Sequence, residues 1–192
     1  MCKSMSPLEI SLQLHGHFCP ELLIGVRLAE LAKTLLSFEQ SGSQDYSPSP
    51  FMAVAESNSC IVDALQASLG CTTGKGNLLI RNGKIKEYSI FNQITGRGIS
   101  VRLLDVPEIK AKMDRFADLS QNRHLSQQEI IEKEELSGVL FEGIMTLPVE
   151  SLFVWKALTD VSELLTEKQK HNEHSICACP AMKSHFGELQ YA

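Results

Sequence analysis

His15-Gly16-His17-Phe18-Cys19-Pro20 stands between two stretches of helical character, and its reading decides how the first half of the chain folds. Upstream, residues 7–16 read as a helix, with Ser6 as its cap and Pro7 in its first turn. Downstream, Leu22, Leu23, Val26, Leu28, Leu31, Ala32 and Leu35 recur at helical spacing from Pro20 to Ser37. His17 and Cys19 therefore fall at or just before a helix N-terminus, where unpaired N–H groups and the helix dipole favour anions. Gly16 lets the backbone turn sharply between the two histidines.

Working outward, residues 40–50 have the Ser, Gly and Pro content of a surface loop, and 51–56 read as a short buried strand. Asn58 or Ser59 then caps a helix over 60–69, with Val62, Leu65 and Leu69 on one face. Cys60 opens that helix, and Asp63 and Gln66 follow on adjacent turns. Residues 70–77 make a tight Gly-rich loop. Leu78–Ile80 and Lys84–Phe91 flank Asn82-Gly83, which predicts a hairpin, and Ile99–Leu104 alternates as a third strand. Pro107 starts a helix to about Leu119. A second runs from Ser126 to about Met145, with Ser126 and Glu129 placed as a capping box, and Pro148 breaks it. The aromatic and β-branched residues of Ser151–Leu158 favour a strand over a continued helix. The expected fold is α+β: an antiparallel sheet packed with helices, then a helical segment and a small C-terminal tail containing Cys and His. Residues 1–158 form the core domain with its helical extension, and 159–192 the tail.

Composition bounds the function. At 192 residues the chain suits one main domain with a small appendage, and its 43% hydrophobic content supports a packed core. A net charge of −5, with a pI near 5.7, argues against nucleic acid as a main partner. No apolar run reaches the ~18–20 residues of a membrane span, and no secretory signal opens the chain. A cytoplasmic setting is expected, where the six cysteines are reduced thiols. Four of them stand near histidines or in Gly-rich turns, a pattern of metal ligation or thiol chemistry rather than a disulfide framework.

Three segments carry candidate chemistry. His15, His17 and Cys19 alternate, so an extended backbone puts all three on one face. Imidazole and thiolate are the preferred ligands of zinc and also suit iron and nickel. The competing reading is ordinary packing, with histidines capping helix ends and a buried cysteine. Cys60, opening a helix, is expected to have a lowered pKa, with Asp63 placed to orient a histidine or water. Its bland alternative is a small buried apolar side chain. The loop Gly70-Cys71-Thr72-Thr73-Gly74-Lys75-Gly76-Asn77 resembles a nucleotide phosphate loop but fails its rules. It has three residues before the Gly-Lys pair rather than four, Gly76 in place of Ser or Thr, and a strand after it rather than a helix. ATP binding is rejected. What remains is a Gly-rich turn with Lys75, two hydroxyls and backbone N–H groups, suited to a small anion.

Together these segments resemble the FmdE family of formylmethanofuran dehydrogenase subunits. The family's hallmarks are a His-Gly-His-x-Cys-Pro box, a Cys-x-x-Asp-Ala-x-Gln helix start and a Gly-Cys-Thr-x-Gly-Lys-Gly-Asn loop. Here they are residues 15–20, 60–66 and 70–77, in the family's order, with Gly25 and Arg27 matching a Gly-x-Arg element. The resemblance is firm over about residues 8–105. Glu21 departs from it, standing where the family has Gly after Cys-Pro. The family takes its name from a molybdenum or tungsten enzyme that reduces carbon dioxide onto methanofuran. Many members occur outside that pathway.

The reading that follows is a metal-dependent protein with one shared pocket. His17, Cys19 and Cys60 hold a transition metal, zinc by default, with His15 in reserve and Cys71 behind them. Lys75, Thr73 and Asn77 hold an anionic ligand or cofactor. Any catalysis falls to Cys60, His17 and Lys75; whether there is turnover is left open. The alternatives are a non-catalytic accessory or delivery subunit of a molybdenum or tungsten oxidoreductase, and a thiol-redox protein using Cys19 and Cys60. Family analogy implies a homodimer. Many members end in a zinc module, so His171, His174, Cys177 and Cys179 are a second candidate metal site, although Cys177 and Cys179 are separated by one residue rather than two to four.

Overall fold

The structure is a computed structural model that describes residues 5–36, 49–81, 83 and 85–159. The tail candidates His171, His174, Cys177 and Cys179 lie outside the described residues.

Among the described residues, six helices and five strands follow one another as α1 (Pro7–His15), α2 (Pro20–Leu35), β1 (Phe51–Ala55), α3 (Cys60–Leu69), β2 (Leu78–Ile80), β3 (Glu87–Asn92), β4 (Arg97–Leu103), α4 (Pro107–Gln121), α5 (Gln127–Thr146), α6 (Val149–Leu152) and β5 (Phe153–Leu158). The architecture is α+β, as expected. No helix among the described residues is long and apolar enough to cross a membrane.

The sheet runs in the order β2-β1-β3-β4-β5 and is mixed. β1 pairs antiparallel with β3, Ala53 opposite Ile90, and parallel with β2, Ala53 opposite Leu78. The predicted hairpin between β2 and β3 is therefore a correction, because β1 lies between them. After β2 the chain keeps following β1. Arg81 N–H donates to Ala55 O and Gly83 N–H to Glu56 O, both at 2.8 Å. A Cβ on Gly83 would lie 2.5 Å from Glu56 O, so this glycine serves a close backbone approach rather than a two-residue turn. A parallel pair needs a long crossover, and residues 56–77 with α3 supply it.

The chain divides into two compact units. The first holds, of the described residues, 5–31, 59–68 and 102–154. In it Leu22, Val26 and Ala64 form a small buried cluster, with Leu8, Leu12 and Cys19 packed against it. A Cβ on Gly25 would lie 2.6 Å from Ala64 Cβ and 2.9 Å from Ile61 Cα, so only glycine lets α2 and α3 approach this closely. Arg27 donates to the carbonyls of Ile144, Met145 and Leu147, closing the C-terminal end of α5 where helix carbonyls lack partners. The Gly-x-Arg element thus has two packing duties. Both capping boxes form: Ser6 with Glu9 on α1, and Ser126 with Glu129 on α5. Phe18 meets Phe116 of α4 edge-on at 5.6 Å, which pins the α1–α2 link.

The second unit holds, of the described residues, 32–36, 49–58, 69–81, 83, 85–101 and 155–159. Its core is the strands. Phe51, Ala53, Val54, Tyr88, Ile90, Phe91 and Val101 are all buried. β1 and β3 bury neighbouring residues in succession, which is why neither alternates cleanly in sequence. The 149–158 stretch splits into the short helix α6 and the strand β5, where a strand over 151–158 is expected. Pro148 ends α5 and its fixed φ starts the next turn.

Candidate metal centre

His15 is the last residue of α1, and Gly16 follows at φ +85°, its N–H closing on Leu12 O. The left-handed turn breaks the alternation that an extended segment would give. His15 is carried inward with 11% of its side chain exposed, whereas His17 is exposed. Cys19 precedes α2, its carbonyl accepting from Leu22 and Leu23 N–H, and Cys60 opens α3. The ligand atoms of His15, Cys19 and Cys60 all lie within 4.8 Å of one another, a group that could hold a metal ion. The imidazole in this group is His15, where sequence spacing put His17 first. His17 stands beside it with ring centroids 4.4 Å apart.

Each group is held by a named partner. Asp63 Oδ2 lies 2.8 Å from His15 Nδ1, and Gln66 Nε2 donates to Asp63 Oδ1 at 3.0 Å. His15 Nε2 is buried with no hydrogen-bond partner among the described residues. Burial alone would lower the imidazole's affinity for a proton. The Asp63 hydrogen bond and the neighbouring Cys19 sulfur outweigh it, so the ring titrates above the ordinary histidine range.

Cys19 and Cys60 each shift the other's affinity for a proton. Interaction with the Cys60 thiol, and with the Leu22 and Glu21 N–H groups of the α2 N-terminus, favours the Cys19 thiolate. Against burial, these and the charge of His15 bring Cys19 down to about 6. Cys60 is pushed up, first by its interaction with Cys19, then by burial and the negative charges of Cys19, Glu21 and Asp63. This corrects the expectation that Cys60 is the acidic thiol. Both cysteines sit at helix starts, and at Cys19 the backbone N–H groups act to lower the pKa. Glu21, the departure from the family pattern, is half-buried and its charge acts on Cys60.

In the second unit the 70–77 loop spends its polar groups on itself. Asn77 is buried; its amide accepts from Thr72 N–H at 2.8 Å and donates to Phe51 O at 3.0 Å. Lys75 Nζ donates to Gly70 O at 3.0 Å. Thr73 is exposed, its carbonyl accepting from Gly76 N–H. Asn77 is a brace for this loop rather than an unengaged amide. Cys71 is buried, its thiol donating to Phe51 O, and burial pushes it up to about 12. Gln66 and Arg27 are the residues whose roles the sequence did not announce: the first stands one turn beyond Asp63, and the second matched a motif without a stated duty.

Comparison with known proteins places this geometry in a family. The model of the family described as "FmdE, Molybdenum formylmethanofuran dehydrogenase operon" matches residues 14–154. A solved FmdE-like protein of tungsten formylmethanofuran dehydrogenase, from Syntrophus aciditrophicus, is 21% identical, over 83% of this chain and 74% of that one, with a TM-score of 0.49. A probable S-adenosyl-L-methionine-binding protein of Archaeoglobus fulgidus is 33% identical over 89 residues, 46% of this chain and 24% of its own length. The chain thus spans about a quarter of that relative. With the match covering the first box, the Cys60 helix, the loop and the helices beyond, the chain belongs to the FmdE family, named for the molybdenum formylmethanofuran dehydrogenase operon.

Proposed function

We propose that this protein binds a divalent transition-metal ion, zinc in the first instance, through Cys19, Cys60 and His15. The observation that carries the reading is His15 Nε2: a buried imidazole nitrogen without a partner among the described residues, on a ring whose Nδ1 is already committed to Asp63. A buried polar atom left unsatisfied costs about 1–3 kcal/mol, and a bound ion removes that cost. A ring nitrogen tied to a carboxylate while the other is open is the usual setting of a metal-ligating histidine. The spacing fits as well. Tetrahedral zinc with Zn–S near 2.3 Å puts two sulfurs about 3.8 Å apart, so ligand atoms within 4.8 Å need only a small inward movement.

The donor chemistry agrees. Two thiolates neutralise a divalent ion, and Cys19 is already poised to give up its proton. Cys60 would lose its proton on metal uptake. When bound, the ion supplies Lewis acidity at the position that three protein ligands leave open. His17, exposed beside His15, stands nearest in sequence to serve that position. The proposal uses residues of the first unit only. An accessory role beside a molybdenum or tungsten oxidoreductase is the partner reading that the family description favours. Affinity capture from the native cell tests it: a stable oxidoreductase partner supports it, and its absence removes it. A homodimer is proposed on family analogy alone.

Titration of the metal-free chain with Co²⁺ tests the site. Thiolate-to-cobalt charge-transfer absorption that disappears in Cys19→Ser and Cys60→Ser supports it; wild-type protein without that absorption refutes it. A second reading, thiol-redox chemistry, is favoured by the closeness of the Cys19 and Cys60 sulfurs, within 4.8 Å, and by the lowered pKa of Cys19. It requires the two thiols to lose two protons and two electrons to an added oxidant such as diamide, forming a disulfide that dithiothreitol reverses.

A further inference from the structure

Gln66 takes no part in the metal group, yet its placement bears on it. Asp63 has both carboxylate oxygens engaged, Oδ2 on His15 Nδ1 at 2.8 Å and Oδ1 on the Gln66 amide at 3.0 Å. Asp63 is about a third exposed, so its carboxylate has water as an alternative partner and room to rotate. Gln66, one turn further along α3, removes that freedom by donating from a fixed position on the same helix. The amide is also the right chemistry. Its NH₂ group can only donate, so it holds the carboxylate in the acceptor role, and Asp63 in turn accepts the proton on Nδ1.

We infer that Gln66, acting through Asp63, is a positioning residue that fixes His15 as the Nδ1–H tautomer and leaves Nε2 as the open donor. The inference rests on the metal reading for its consequence but not for its geometry. The three residues form a line from helix α3 to the last residue of α1: Gln66 orients Asp63, Asp63 selects the tautomer, and the buried Nε2 is left without a proton. The same line sets the ring's orientation, since a histidine anchored at Nδ1 can rotate only about that bond. Partners of this kind are typically worth about 10–100-fold in metal affinity.

The test uses the full chain, stripped of metal with a chelator and labelled with ¹⁵N-histidine, at a pH above the His15 titration. His15→Ala assigns the ring signals. The wild-type chain is expected to show His15 with a protonated Nδ1 and a bare Nε2. Gln66→Leu removes the amide; Gln66→Glu keeps its size but replaces the donor with a second carboxylate. Both are expected to give a mixture of tautomers and about 10-fold weaker Co²⁺ binding, with Asp63→Ala approaching about 100-fold. Circular dichroism and thermal melting establish that each variant is folded. An unchanged tautomer in both Gln66 variants overturns the inference, as does a wild-type ring protonated at Nε2. A wild-type chain that takes up no Co²⁺ removes the metal reading, while the tautomers of the metal-free chain still decide the role of Gln66.

Discussion

Gly25 of α2 and Ala64 of α3 meet so closely that a Cβ on the glycine would lie 2.6 Å from the alanine's. This contact sits behind the metal group. Cys19 precedes α2 and Cys60 begins α3, so the separation of the two helices governs the separation of the two sulfurs. Gly25→Ala forces the helices apart and is expected to cost about 1–3 kcal/mol, the usual penalty of overpacking. That lowers the melting temperature by about 2–4 °C per kcal/mol in a chain of this size. The same variant should bind Co²⁺ more weakly than wild type. A melting temperature and Co²⁺ affinity both equal to wild type would contradict the packing account.

Thiol reactivity separates the cysteines. In the metal-free chain, alkylation of Cys19 by iodoacetamide is expected to rise with pH through about 6 rather than through the ordinary thiol value of 9.0. The sign follows from the cause: the Cys60 hydrogen bond and the backbone N–H groups stabilise the thiolate, so it persists to lower pH. Cys60 is pushed the other way and Cys71 up to about 12, so both should lag at neutral pH. Peptide mapping of the alkylated chain measures this. A Cys60 that reacts ahead of Cys19 would reverse the assignment.

Arg27 binds three carbonyls at the end of α5, and lysine cannot reproduce that fork. Arg27→Lys is expected to lose about 2 kcal/mol of unfolding free energy, because donors to these carbonyls are charged. Urea unfolding checks the value. A loss within a few tenths of a kcal/mol would show that water replaces the guanidinium without cost.

Much of this was legible in the sequence because it is local. The bounds of α3, the Ser6 cap, the Ser126–Glu129 capping box and the Pro107 helix start follow from periodicity and cap chemistry. The errors arise where a distant partner decides. Asn82-Gly83 has the composition of a hairpin turn, but Gly83 is held against Glu56 by pairing along β1. His17 and His15 are equivalent by spacing until Gly16 takes a left-handed conformation and directs one inward. Cys19 and Cys60 both stand at helix starts, and nothing in either segment alone reveals that their sulfurs lie within 4.8 Å of each other. Asp63 was legible as an orienting group; its target, 48 residues away, was not.

Metal analysis of the full chain, expressed without a metal-affinity tag and purified without chelator, tests the central claim most directly. The account predicts stoichiometric transition metal in the wild-type protein, lost in Cys19→Ser and Cys60→Ser, with both thiols shielded from alkylation while the metal is bound. Protein that carries no stoichiometric metal, and whose Cys19 is freely alkylated, would contradict it.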